Sequence, residues 1–89
     1  MSGSDEIRAH CRSHYIEPAI ARGDYSVTIR VGDVHRDLGL RDRMPQVSAA
    51  LGTDLFEQEC HLRRISIDGP VNGSSALFTF LLLDNLSTG

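Results

Sequence analysis

Arg36, Arg41 and Arg43 fall within eight consecutive positions, with Gln46 three residues further on. An arginine fork matches two phosphate oxygens or the O6 and N7 edge of guanine. A glutamine amide can pair in the same bidentate way with adenine. Four such side chains on one surface could therefore hold a nucleic-acid backbone and read bases. The same residues could equally be a solvated face, with Asp37 and Asp42 as local ion-pair partners. Arg63 and Arg64 form a second basic pair that could touch phosphates. Adjacent strand residues point to opposite faces, so only one of the two can share a given surface.

Two other sets of residues have reactive side chains. Cys11, His14, Cys60 and His61 supply two thiols and two imidazoles, but Cys60 and His61 are adjacent and the spacing lacks the paired pattern of a zinc site. Cys11 and Cys60 read better as reduced core thiols, since disulfides are rare in a reducing cytoplasm. Ser13-His14, His10 and Glu17 lie close together in the chain. Nothing orients them as the nucleophile, base and oxyanion hole of a nucleophilic site. No glycine-rich phosphate loop or pair of carboxylates suggests another reaction. The expectation is a protein that catalyses nothing and holds neither metal nor cofactor.

Whole-chain properties agree. Eighty-nine residues make one domain, with room for one modest core. All nine basic residues are arginine, against twelve acidic ones, for a net charge of −3. That balance argues against non-specific coating of nucleic acid, though one face can still be basic. No apolar run approaches the ~20 residues of a membrane span. The first six residues do not open a secretory signal, so the expected location is the cytoplasm.

The elements that must position these side chains follow from periodicity. Ile7, Cys11, Tyr15 and Ala19 recur every fourth residue, which predicts a helix over 5–22, kinked or divided by Pro18 and stopped by Gly23. Tyr25–Val31 alternates as a half-buried strand. Gly32 should break it, and Asp33 should open a short helix over Val34–Leu38 that ends at Gly39. A very short connection, Leu40–Asp42, then leads to a third helix capped by Asp42, with Pro45 in its first turn and Met44, Val47 and Leu51 on its inner stripe. Gly52 ends that helix. Thr53 or Asp54 caps a last helical turn through Cys60, with Leu55 and Phe56 inward. Leu62–Ile67 is a second strand, with Ile65 and Ile67 on one face. Turn signals follow at Asp68-Gly69-Pro70 and Asn72-Gly73. Ala76–Leu83 is a third strand, apolar on both faces and therefore central or covered twice. The predicted core comprises Val27, Ile29, Leu38, Val47, Leu51, Phe56, Ile65, Ile67, Phe78 and Phe80. The domain is set at 5–83, with 1–4 and 84–89 as flexible tails.

Two helices joined by a tight glycine-containing turn, preceded by a strand and followed by a hairpin, form the pattern of a helix-turn-helix with a wing. Over residues 5–83 the chain resembles the winged helix-turn-helix family. Asp33-Val34-His35-Arg36-Asp37-Leu38-Gly39-Leu40-Arg41-Asp42-Arg43-Met44-Pro45 is similar to a segment of small prokaryotic proteins of that kind. The resemblance implies an α+β fold of three helices and a three-stranded antiparallel sheet, in the order α-β-α-α-β-β. It also implies a double-stranded DNA partner, with the third helix in the major groove and a role in transcription regulation or as a DNA-associated accessory factor. Arg36, Arg41, Arg43, Gln46, Arg63 and Arg64 would form the contact surface. Two features depart from the pattern: the wing tip, Pro70–Ser75, has no basic residue, and Glu57 and Glu59 follow the third helix closely. Since part of the family docks on proteins, the alternative is a protein-interaction module without DNA binding. The apolar run Phe78–Leu83 could also pack across a homodimer.

Overall fold

In the computed structural model, which describes residues 3–70 and 73–86, helices cover one face of a three-stranded antiparallel sheet. The first helical segment runs as α1 (Gly3–Cys11), a π-helical turn (Arg12–Ile16) and α2 (Glu17–Arg22). Pro18 explains the division. Its ring would crowd the His14 carbonyl in a regular helix and it offers no N–H. Widening the preceding turn, with the Glu17 N–H bonded to the Arg12 carbonyl, accommodates it. The segment ends at Gly23, left-handed at φ 81°, as expected.

Strand β1 (Ser26–Arg30) runs directly into α3 (Val31–Asp37). This corrects the expectation that the strand runs to Val31 and is broken by Gly32, with Asp33 opening the helix. The first N–H groups of α3 need no side-chain cap from its own chain segment. Val31 N–H donates to the Ala76 carbonyl at 3.0 Å and Gly32 N–H to the Ser74 carbonyl at 2.9 Å. Gly32 is required by that approach, because a Cβ there would lie 2.6 Å from the Ser74 carbonyl oxygen. Gly32→Ala is expected to destabilise the domain by about 1–3 kcal/mol through backbone displacement. A thermal melt equal to the parent's would refute the close contact.

Helix α4 (Met44–Leu51), helix α5 (Asp54–Cys60) and the hairpin β2 (Leu62–Asp68) and β3 (Leu77–Leu82) follow. Thr53 caps α5 by accepting from the Phe56 N–H at 3.2 Å. The single expected turn through Cys60 is thus a separate helix, beyond the three read from the sequence. Leu55 is its exposed side, not an inward residue. The chain does not fray directly after β3. Leu83–Leu86 forms a helical turn, α6, and Asn85 Nδ2 donates to the Ile20 and Asp24 carbonyls at 3.2 and 2.8 Å. Helix α1 likewise takes in Gly3 and Ser4 from the segment read as an N-terminal tail.

The strand order is β1-β3-β2, so β3 is central as its apolar run requires. Register sets its two faces. Phe78 and Phe80 pair with Ile29 and Val27 and, with Leu82, point under the helices. Leu77, Thr79 and Leu81 point the other way and stay half-exposed, so β3 is covered on one face rather than two. The core is Ile7, Cys11, Ile16, Ala19, Ile29, Val31, Val34, Val47, Ala50, Leu51, Phe56, Cys60, Leu62, Ala76, Phe78, Phe80 and Leu82. Ile65 and Ile67 do not belong to it, being 51% and 40% exposed. Ile65 falls at the irregularity between Arg64 and Ser66, where the register with β3 shifts by one residue. Ile67 lies on the inner register opposite Phe78 but on an edge strand. Val27 and Leu38 pack against the core only partly buried. No helix among the described residues is long and apolar enough to cross a membrane.

Candidate nucleic-acid interface

The arginine cluster lies on the connection between α3 and α4. Gly39, left-handed at φ 64°, closes α3: its N–H donates to the Arg36 carbonyl, and the Leu40 N–H reaches the His35 carbonyl at 3.1 Å. The chain then needs residues 38–43 to turn into α4, a longer connection than the sequence suggested. Asp42 does not cap α4. It takes the left-handed conformation at φ 53°, and Arg43 is the N-cap, without a side-chain cap bond. The Arg43 N–H instead donates to His35 Nε2 at 3.2 Å, tying the connection back to α3. The positive end of the α4 dipole is therefore not masked by an aspartate cap.

The candidate side chains separate into three kinds. Arg36 is 72% exposed but lies 3.4 Å from Asp33 and 3.7 Å from Asp37, so its charge is locally balanced. Arg41 and Arg43 are exposed and enter no ion pair among the described residues. Arg43 Nη1 donates to Gln46 Oε1 at 3.1 Å. Gln46 is half-buried and wedged against α1: a Cβ at Gly3 would fall 2.6 Å from its Nε2. Beside them opens a cleft of about 390 Å³ whose walls include Glu6, Ile7, Leu38 and Leu40.

The second basic pair is divided as alternation requires. Arg64 turns inward: its Nη1 donates to the Gly52 carbonyl at 3.0 Å and lies 3.5 Å from Glu57, and its N–H also donates to Glu57 at 3.2 Å. It braces β2 against α5 and the α4–α5 corner. Arg63 is exposed on the opposite face of the sheet, paired in register with Leu81. The β2–β3 connection passes Gly69, left-handed at φ 80°, and Pro70, then Gly73, Ser74 and Ser75; Val71 and Asn72 lie outside the described residues. Helix α5, which follows α4, carries Asp54, Glu57 and Glu59.

The two reactive sets take partners of several kinds. Cys11 and Cys60 are buried free thiols, and burial pushes the Cys11 thiol up to about 12, which leaves it unreactive. His14 stacks on His10 with ring centroids 4.1 Å apart, while His61 pairs with Asp84. Among the described residues no group of three or more potential ligands could hold a metal ion. Ser13 Oγ donates to the Ala9 carbonyl, a helix bond rather than an activating one.

One polar site escaped sequence reasoning. Asp37 accepts from the Tyr15 hydroxyl at 2.9 Å and lies 3.4 Å from His10 Nε2, joining the π-helical turn to α3. Residues 22 and 27 positions apart give no local signal of such a contact. The Tyr15 bond is the main cause holding the Asp37 carboxyl below its usual 3.8. Burial, and then the bond to Asp37, pushes the Tyr15 phenol up to about 12. The lowered carboxyl contributes stability above its unfolded value, lost as pH falls through the carboxylate range. The raised phenol contributes stability below its ordinary 10.0, lost as pH rises toward about 12. Tyr15→Phe is therefore expected to lower the melting temperature most between about pH 5 and 9, with the difference from the parent shrinking below about pH 4. A difference unchanged at about pH 3 would show that the bond to the carboxylate contributes nothing.

No protein-family model matches the chain, and no curated protein or solved structure is significantly similar to it.

Proposed function

We propose that the chain is a double-stranded DNA-binding module of winged helix-turn-helix type, acting in the prokaryotic cytoplasm as a transcription regulator or DNA-associated accessory factor, by binding and not by catalysis. In this reading α3 and α4 are the helix pair, α4 enters the major groove, and β2 and β3 form the wing. The observation that carries it is the state of Arg41 and Arg43. They are exposed, unneutralised among the described residues, and placed at the N-terminus of α4, where no side chain caps the helix. In a helix-turn-helix that end of the second helix faces the duplex. Arg41 and Arg43 would hold phosphates, Gln46 would read a base after leaving its place beside Gly3, and Arg63 would be peripheral. Arg36, balanced by two aspartates, and Arg64, engaged with Glu57 and Gly52, would contribute little. The test is binding to random-sequence duplex DNA at about 50 and about 200 mM salt, followed by selection of preferred sites.

A second reading, a protein-docking module, is favoured by a different observation. Asp42 stands between Arg41 and Arg43 in the connection, Asp33 and Asp37 flank Arg36 in α3, and α5 beyond α4 is acidic. A duplex repels such a surface; a protein partner of mixed charge does not. The same salt series distinguishes the two: a DNA-binding module binds the duplex with an affinity that falls linearly with log salt, whereas a module that docks only on proteins binds no duplex at either concentration.

A further inference from the structure

The face of the sheet turned away from the helices is uncovered, and the register of the strands orders it into three rows. Across β1, β3 and β2 the rows are Arg30–Leu77–Asp68, Thr28–Thr79–Ser66 and Ser26–Leu81–Arg63. Thr28 Oγ1 and Thr79 Oγ1 lie 3.0 Å apart, a direct mark that cross-strand partners share this face. Leu77 and Leu81 form its apolar spine and remain half-exposed, while Arg30, Asp68 and Arg63 are exposed. Neither Arg30 nor Asp68 enters an ion pair among the described residues.

We infer that this face pairs with the same face of a second copy of the chain, about a two-fold axis parallel to β3. Such an axis keeps each row over its own equivalent and exchanges β1 with β2. Arg30 of one copy then stands over Asp68 of the other, and Asp68 over Arg30. Leu77 meets Leu77, Leu81 meets Leu81, and the threonine and serine row faces itself. The arrangement is isologous: one patch serves both partners, and the two reciprocal ion pairs fix its register. Neither end row brings two arginines together, because the axis sets Arg63 over Ser26. Two sheets stacked this way interdigitate side chains about 10 Å apart. The identity of the occupant follows from this charge pattern, since a partner must present an acid opposite Arg30 and a base opposite Asp68 on either side of an apolar spine.

The face is small. Three strands about 4.8 Å apart and five or six residues long span on the order of 250–300 Å² in plane, well under the ~800 Å² per partner of a standard stable interface. The pairing is therefore weak and concentration-dependent. The inference does not rest on DNA binding by α4, which packs in the helical layer over the opposite face of the sheet.

The test is sedimentation of the full chain over a concentration series from about 10 μM to about 1 mM, a range suited to a weak interface, with heteronuclear NMR spectra at the two ends. Expected is a rise in mean mass toward twice that of the chain, with concentration-dependent shifts at Thr28, Arg30, Ser66, Thr79 and Leu81 and none in α4. Arg30→Asp and Asp68→Arg should each return the protein to a monomer, and the double exchange should restore association. Both positions are exposed, and melts of each variant establish that it is folded. A mass equal to one chain throughout, association that survives both single exchanges, or shifts confined to other surfaces would overturn the inference.

Discussion

Phe80→Ala is expected to lower stability by about 3–5 kcal/mol, the range for removing a fully buried aromatic ring that neighbours cannot refill. The Phe80 ring is wholly buried. Its register partners on the inner face are Val27 and Arg64. It meets Phe56 of α5 edge-on, with centroids 5.4 Å apart, and lies parallel to Phe78 at 6.4 Å. It therefore joins the central strand to the helix that follows α4, and its loss opens the contact between the two layers. A chain of this length has only about 4–13 kcal/mol in total, so the variant should be largely unfolded well below the parent's melting temperature. Denaturant melts followed by far-ultraviolet circular dichroism measure the difference. Ile67→Ala is the control. It lies on the inner register but is 40% exposed, and should cost less than about 1 kcal/mol. Equal losses for the two variants would mean that β2 and β3 are paired in another register.

Removing both Arg41 and Arg43 is expected to have the largest effect on DNA binding. Each phosphate contact contributes about 0.9 to the slope of log affinity against log salt, so Arg41→Ala with Arg43→Ala should lower that slope by about two. A slope loss of about 0.9 per contact is worth about fifteenfold between about 1 M and about 50 mM salt, so affinity at about 50 mM should fall on the order of 100-fold. Arg36→Ala should change the slope by much less, because Asp33 and Asp37 already balance its charge. Gln46→Ala should leave the slope unchanged and shift base preference at one position by roughly 1–3 kcal/mol. Filter binding or fluorescence anisotropy across a salt series reads all four. If the parent protein shows no salt-dependent binding at about 50 mM salt, the DNA reading fails and α4 should be examined as a protein-docking helix.

Most of the elements were legible in the sequence because their signals are local; α6 and the π-helical turn were not. Alternation marked β1 and β3, fourfold spacing marked the first helical segment, and Gly23, Gly39 and Gly52 marked where helices end. A cap at Thr53 or Asp54 and the separation of Arg63 from Arg64 could also be read from neighbouring residues alone, and the structure places the cap at Thr53. These features depend on backbone dihedrals, hydrogen bonds to the preceding turn, and side-chain alternation, all within a few positions. The site was legible only as a list of candidates, since charge density appears in sequence but neutralisation does not.

What only the tertiary structure decided concerns partners distant in the chain. Gly32 reads as a breaker, but the Ser74 carbonyl 42 positions later makes it part of a helix start. Asp42 reads as a cap, until His35 takes the Arg43 N–H and the chain turns left-handed before α4. Ile65 and Ile67 read as core, yet a register irregularity and an edge position leave them exposed. Arg64 became a brace and Arg36 a balanced pair, leaving Arg41 and Arg43 as the charged surface of the α3–α4 connection. Tyr15 and His10 met Asp37 across two elements. In each case the local preference was weak, of order 1 kcal/mol or less, and a hydrogen bond, ion pair or layer of packed side chains contributed by a remote segment outweighed it.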